Sequence, residues 1–449
     1  MANVTVVGGG LAGCEAAWQL AQRGHDVTLV EMRPARNTPA HQTDGLAELV
    51  CTNSFKSEDP ANAHGLLKLE MGMLGSLLLA AAAAARVPAG AALAVDRHAF
   101  SRAMTDVVSG HPFIRIVREE VNRLPDTPAV VATGPLTSDA LAAAIADRLG
   151  DDGLAFYDSI APIVSLDSID KDVAYFLSRY DKGGGDDYLN CPMDRAAYEA
   201  FLEALRSAQV YPGHDWEQVP YFEGCLPIEV MASRGDDTMR FGPMKPVGLP
   251  DPRTGREPYA VVQLRREDRA GQLWNLVGFQ TRLRTGEQRR VFRMIPGLAD
   301  AEFMRYGTIH RNTYLNFPAR LTPHGALPDR PDLIFAGQLT GVEGYTESAA
   351  SGMLAGINLD RVVRGEPPVL PPATTMLGGL YRYLRERTTG DFQPMNSNFG
   401  LLDPLAERVK DRRRKREKLA ERARADLGRW LAEHAVTAVE TPTMAEASA

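Results

Sequence analysis

The chain has little cysteine: four in 449 residues, at Cys14, Cys51, Cys191 and Cys225. No two stand at CxxC spacing, which argues against a redox disulfide motif and against a cysteine-based zinc site. Long apolar runs are also missing. The longest, Met73 to Ala85, falls short of the ~20 residues a membrane span needs and is alanine-rich, so it reads as a buried helix. The first strand-like run begins at Val4 and leaves no room for a signal peptide. No membrane association is expected, and the expected setting is reducing and cytoplasmic. A basic surplus is lacking as well. The 57 acidic residues outnumber the 50 basic ones, for a formal charge of −7, which argues against a globally basic nucleic-acid binder but leaves room for a local basic patch. No internal repeat is visible. What remains is 44% hydrophobic and 24% charged, an ordinary globular composition with chain enough for two or three domains.

The most informative stretch is the first thirty residues. A β-branched run, Val4 to Val7, leads into Gly8-Gly9-Gly10-Leu11-Ala12-Gly13, then a helix-like segment to Arg23, Gly24, and a second strand ending on Glu31. Strand, glycine turn, helix, strand and acid stand where a dinucleotide-binding fingerprint requires them. Gly8 permits the tight turn, Gly10 lets backbone approach a pyrophosphate, and Gly13 lets the helix pack closely. The helix N-terminus offers free N–H groups and partial positive charge to phosphates. Glu31 is placed to accept from a ribose diol. An acid there favours a plain ribose over a 2′-phosphate and leaves FAD and NAD both open.

Farther along, Leu46 to Cys51 has helical apolar spacing that ends in a Thr52-Asn53-Ser54 turn. Leu66 to Ala85 and Arg97 to Ser109 read as helices, and Phe113 to Val117 and Ala129 to Gly134 as strands. After the Gly/Asp-rich loop Gly183 to Asp187 the pattern changes. A helix is predicted over Met193 to Ala208, then β-like runs at Pro227 to Met231, Tyr259 to Leu264 and Leu273 to Phe279. βα alternation resumes with a strand at Leu333 to Ala336, a glycine-rich turn from Gly337 to Ser348 and a helix to Val363. This second glycine loop favours FAD over NAD. Gln338 stands where an acid often follows the strand, which puts a carboxylate contact to the ribityl chain in question. The predicted fold is α/β: a Rossmann-like FAD-binding domain of the two-dinucleotide flavoprotein type (1–189 and 312–449) with an inserted α+β domain (190–311). The tail from about Ala435 reads as frayed. Leu405 to Arg424 holds ten Lys/Arg against four Asp/Glu at helical spacing. That is either a solvated amphipathic helix or a phosphate-facing strip, with Arg265 to Arg269 and Arg282 to Arg293 as competing basic clusters.

A flavin moves hydrides without a protein nucleophile, so the fold leaves the reaction open. Cys51, in its polar turn, and Cys225, in Glu223-Gly-Cys-Leu-Pro227, are the candidate nucleophiles. The alternative for each is a small buried hydrophobe. His310 and Tyr345 are candidates to lie against a flat ring.

Several motifs together resemble a known family, the folate- and FAD-dependent tRNA uracil-5-methyltransferases (TrmFO). They are Leu49-Val-Cys-Thr-Asn-Ser-Phe55, Asn190-Cys-Pro-Met193, Phe222-Glu-Gly-Cys-Leu-Pro-Ile-Glu229, Phe241-Gly-Pro-Met-Lys-Pro-Val-Gly248, Gln288 to Gly297, His310-Arg-Asn-Thr313 and Gly337 to Tyr345. The resemblance implies C5-methylation of the T-loop uridine of tRNA (position 54 in tRNA convention). It implies 5,10-methylenetetrahydrofolate as carbon donor, FAD as cofactor and NADH or NADPH as reductant of the flavin. It implies Cys51 and Cys225 as the working thiols, leaves open which of them attacks the uracil, and makes His310 a candidate for folate contact. Three alternatives stand beside it: a wobble-uridine-modifying flavoprotein of the MnmG/GidA type, a generic NAD(P)H–flavin oxidoreductase, and a flavin-bearing tRNA-binding protein with a structural role.

Overall fold

The computed structural model describes residues 1–449 except 151–153, 182–184, 212–220, 222–225, 387–391, 443 and 445–449, with backbone alone at 154–159, 181, 309–311 and 313. The first unit is built on a six-stranded sheet. Its spatial order is Ala326–Leu327, Arg330–Phe335, Ala129–Val131, Asn3–Val7, Asp26–Glu31, Ile114–Arg118. All neighbours are parallel except the antiparallel edge pair Ala326–Leu327 and Arg330–Phe335. Ala129, Val130 and Val131 are all buried, as strands covered on both faces require. The strand Arg330–Phe335 pairs with Ala129–Val131, so this sheet is completed only after the insertion has been traversed.

The fingerprint helix Leu11–Gln22 packs on the helix of the second glycine loop, Tyr345–Val363, through small residues. A Cβ at Gly352 would lie 2.1 Å from the Ala12 carbonyl oxygen, and one at Gly356 2.9 Å from that of Ala16. Only glycine at these positions allows so close an approach of the two backbones.

The second unit is an antiparallel sheet in the order Tyr175–Phe176, Tyr188–Met193, Ala260–Arg266, Leu273–Leu276, Ile163–Ser165, Phe303–Arg305. It encloses its own core around Trp274, Phe279, Phe292 and Phe201. This sheet begins at Ile163, ahead of the boundary expected at Asn190. The strands Tyr175–Phe176 and Tyr188–Met193 pair in one sheet, so no domain border separates them. A ribbon of Leu154–Ser159 with Ile309–Tyr314 joins the units.

Four local expectations are corrected. Leu66 to Ala85 is two helices, Ala63–Met73 and Leu77–Ala84, bent by 112°. Gly75 turns the chain at φ +81°, and Ser76 caps the second helix by accepting from the Leu79 N–H. Leu46 to Cys51 is not helical. Ala47 sits at φ 51° with its N–H donated to the Gly9 carbonyl, so the segment is pinned across the first glycine loop. Pro227 to Met231 is not a strand but leads into the helix Ile228–Arg234, whose Ile228 and Ala232 face inward at i,i+4 spacing. The tail is tethered at 434–439: Val436 is buried, Arg23 bonds the Thr437 carbonyl and Arg361 that of His434. Among the described residues no single helix is long and apolar enough to cross a membrane.

Candidate functional site

The first glycine loop forms a cradle at the carboxyl end of the parallel strands. Gly8 has φ +101°, and a Cβ on it would meet the Ala132 carbonyl oxygen at 2.6 Å. A Cβ on Gly13 would meet the Gly8 oxygen at 1.8 Å, and one on Gly9 the Leu46 side chain at 2.6 Å. Gly10 differs: a Cβ there meets nothing within 4 Å. With Val7 and Gly8 it lines one groove at the start of the helix Leu11–Gln22, where first-turn N–H groups have no intrahelical partner. The groove continues past Glu31, Thr38, His41, Glu120 and Thr137. Glu31 is 5% exposed. It accepts the Gly9 N–H at 2.9 Å and the Arg33 Nε at 2.9 Å. Burial opposes its charge, yet the Arg33 guanidinium and the two backbone N–H groups hold its carboxyl below the ordinary value. A nucleotide with an unsubstituted ribose and a pyrophosphate fits this groove by shape and by donor set.

In the second glycine loop, Gly337 takes φ +77° and its N–H bonds Ser351 Oγ at 2.6 Å. Gln338 donates to Glu343 at 2.6 Å. An acid stands farther on, Glu347, in the first turn of Tyr345–Val363. Glu347 is 1% exposed, with His64 Nδ1 at 3.1 Å and the Ser397 N–H at 2.9 Å. Burial works against its ionisation. His64, Lys56 and the Ser397 N–H outweigh it and bring the carboxyl down to about 2.

Between these loops lies the Cys51 turn. Cys51 is half-buried. The Tyr345 hydroxyl oxygen accepts the N–H of Cys51 at 2.8 Å and that of Thr52 at 3.2 Å. Tyr345 therefore ties the second glycine loop to the Cys51 backbone, and its ring packs on Phe55 at 5.9 Å. Arg97, the first residue of the helix Arg97–Gly110, bonds the carbonyls of Leu49 at 2.8 Å and Cys51 at 3.3 Å. Its Nε bonds the buried Glu267 at 2.6 Å. The second unit reaches in from Arg265, which bonds Asn53 Oδ1 at 2.9 Å and Thr52 Oγ1 at 2.6 Å. Asn53 in turn donates to the Val95 and Arg266 carbonyls, each at 2.9 Å. Arg305 lies close enough to interact electrostatically with Cys51, Tyr345 and Arg97, and burial together with the Arg97 charge pushes its guanidinium down from the ordinary value.

Beside this turn an inter-unit cleft is lined by Arg97, His98 and Arg102 from the first unit and by Glu267, Met304 and Arg305 from the second. The other two thiols are buried: Cys14 on the fingerprint helix, its thiol pushed up by burial and by Glu31, and Cys191 in the second core, pushed up to about 12 by burial. Cys225 lies outside the described residues. His310 lies on Ile309–Tyr314 with its backbone paired to Asp158, and its side chain is outside the described residues. Arg97, Arg265, Arg305 and Glu347 were not anticipated. Of these only Glu347 had a local signal, as an acid in the first turn after a glycine loop.

A family model described as glucose inhibited division protein A matches residues 3–367. A curated protein of Geobacter sulfurreducens, named methylenetetrahydrofolate--tRNA-(uracil-5-)-methyltransferase TrmFO, is 59% identical over 430 residues, covering 96% of this chain and 99% of its own length. Proteins of the same name from Rhodospirillum rubrum and Lacticaseibacillus paracasei are 58% and 53% identical, with 92% and 98% of their lengths covered. The chain belongs to the TrmFO family. Among solved structures, Aquifex aeolicus GidA superimposes with a TM-score of 0.68 at 18% identity, covering 96% of this chain and 73% of that one. A second crystal form gives 0.67. The TrmFO chain thus has the GidA-like α/β flavoprotein fold with an inserted domain, while its sequence stands with the TrmFO proteins at more than half identity.

Proposed function

We propose that this protein methylates C5 of the T-loop uridine of tRNA, taking the carbon from 5,10-methylenetetrahydrofolate. The observation that supports this most directly is the Cys51 turn. A thiol is fixed at the junction of two glycine loops and an inserted unit, with cationic Arg97 and Arg305 beside it. The thiolate is the nucleophilic form of a cysteine. Uracil C5 is a poor nucleophile. Thiolate addition at C6 moves electron density to C5, which then attacks a methylene electrophile. Loss of the C5 proton, with cleavage of the bond between the methylene carbon and its carrier nitrogen, releases the tetrahydrofolate amine. It leaves an exocyclic methylene on C5, the thiol still on C6. A hydride equivalent (two electrons and a proton) added to that methylene, with expulsion of the thiolate from C6, gives the methyl group and restores the C5–C6 double bond. Cys51 and Cys225 are the proposed thiol pair.

FAD would be held by the Gly8–Gly13 loop and Glu31 at its adenosine and pyrophosphate end and by the Gly337–Tyr345 loop at its flavin end. When bound, FAD supplies the reducing equivalents, and NADH or NADPH replenishes them. Tyr345 fixes the Cys51 backbone. Arg102 and Arg305 are the cleft cations proposed to meet an anionic group of folate or a nicotinamide nucleotide, in a lining that also holds Asp44, Asp106 and Asp268, and His310 is retained as a folate contact. The target base must leave its stack to reach a site this deep.

The test gives purified protein unmodified tRNA, labelled methylenetetrahydrofolate and NADPH, and compares it with Cys51→Ala. Label in the T loop that depends on Cys51 is the expected result. No label with the unaltered protein refutes the activity. Equal labelling by the variant refutes only the role of Cys51.

A further inference from the structure

The basic helix Arg412–Glu433 has two cationic faces with different fates. Arg413 and Arg414 pair with Glu417, and Lys418 pairs with Glu407. Arg412, Lys415 and Arg416 stand at i, i+3 and i+4, on one face. None of the three has a carboxylate partner among the described residues. They form one wall of a groove. Asn62, His64, Ser397, Asn398 and Phe399 line the same groove.

The groove is joined to the Cys51 turn by one short strand, Ser54–Ser57. Ser57 lines the groove, and six residues at ~3.3 Å each put it at most ~20 Å along the chain from Cys51. Lys56, exposed and held at φ 63°, lies on that strand. Several arginines of the competing basic clusters are engaged within the protein, one of them by a carboxylate and the rest by neutral groups. Arg265 braces the Cys51 turn, Arg269 bonds the Ala84 carbonyl, Arg289 bonds the Tyr306 hydroxyl, Arg290 pairs with Glu287, and Arg293 bonds the Ala301 carbonyl. On a protein with seven excess negative charges, this groove carries three cations without a carboxylate partner among the described residues, with the Arg416 guanidinium over the Phe399 ring at 5.6 Å.

We propose that the groove between Asn62–His64 and Arg412–Arg416 binds the sugar–phosphate backbone of the RNA strand that carries the target uridine. The proposal rests on the tRNA-methyltransferase reading above. Arg412, Lys415 and Arg416 neutralise successive phosphates, and the strand Ser54–Ser57 sets the offset between the held backbone and Cys51.

The test uses the full-length, FAD-loaded protein and an unmodified tRNA transcript, with binding read by fluorescence anisotropy from 50 to 300 mM salt. Each lost phosphate contact is worth about five-fold at 0.15 M salt, from a slope of ~0.9 per contact. Arg412→Ala/Lys415→Ala/Arg416→Ala should weaken binding ~100-fold and lower the log–log salt slope by ~2–3. FAD content and melting temperature establish that this variant is folded. Lys415→Gln alone, at an exposed position, should lose about five-fold, and Arg289→Ala/Arg290→Ala should bind within two-fold of the unaltered protein. Unchanged affinity and slope in the triple variant, with methylation intact in the unaltered protein, overturn the groove and leave the function standing. An unaltered protein that neither binds nor methylates tRNA overturns both.

Discussion

Tyr345→Phe removes one oxygen and leaves the ring packing on Phe55 in place. That oxygen accepts two backbone N–H groups, from Cys51 at 2.8 Å and Thr52 at 3.2 Å. A typical intramolecular hydrogen bond contributes about 1 kcal/mol net, and a donor stranded away from water costs more. Losing both destabilises the held turn by about 2 kcal/mol, a shift of roughly 30-fold toward released conformations. The turn retains Arg97 and Arg265, so the change is local and the protein stays folded. Methylation kcat with saturating tRNA should therefore fall about 10- to 30-fold, while bound FAD per chain and the rate of flavin reduction by NADPH stay within two-fold. Methylation at the unaltered rate would refute the positioning role. Loss of FAD would assign Tyr345 to cofactor retention instead.

Gly352→Ala places a Cβ 2.1 Å from the Ala12 carbonyl oxygen and should cost about 1–3 kcal/mol, seen as a lower melting temperature and a lower flavin-to-protein ratio. Gly428→Ala, where a Cβ meets nothing within 4 Å inside a helix, should instead stabilise by about 0.5–1 kcal/mol in denaturant melts. Glu347 has its carboxyl brought down to about 2 by His64, Lys56 and Ser397 against burial. Its folded pKa is below the unfolded one, so its ~3 kcal/mol is present above pH ~4.5 and lost as pH falls toward 2. Glu347→Gln should flatten that acid limb. Glu70 is raised to about 8 by burial, against the Met376 and Leu377 N–H groups it accepts. Its contribution is full below pH ~4.5 and lost as pH rises through about 8, and Glu70→Gln should remove the slope from chemical denaturation across that window.

What the sequence disclosed follows from what is local. Gly8 to Glu31 was legible because turn, helix and strand signals are all encoded within thirty residues. The parallel sheet followed from βα alternation and apolar strands. The helix over Leu66 to Ala85 failed because its apolar spacing continues through Gly75, and only the φ at that glycine marks the bend. Leu46 to Cys51 failed because Ala47 is held at φ 51° by the Gly9 carbonyl, a constraint from outside the segment. The start of the second sheet at Ile163 was not legible because the composition changes only after the Gly/Asp-rich stretch, while the pairing of Ile163–Ser165 with Leu273–Leu276 is long-range. Cys51 was singled out by chemistry, but its surroundings were not. Arg97, Arg265 and Arg305 come from 46 to 254 positions away, and no pattern within a window reports them. The basic strip was visible by composition. Which of its cations are compensated depended on the pairing of Arg413 and Arg414 with Glu417.

Arg265 lies more than 200 positions after the turn it braces. While the chain is being made, residues 51–53 are complete long before the strand Ala260–Arg266 exists. Closing so long a loop is slow relative to local folding. The sheet of the first unit must also wait for Arg330–Phe335. A nascent or half-folded chain therefore carries Cys51 on a segment that has Arg97 to brace it but lacks Arg265 and Tyr345. The ordered thiol is a late product of folding, and its order reports that both units have assembled.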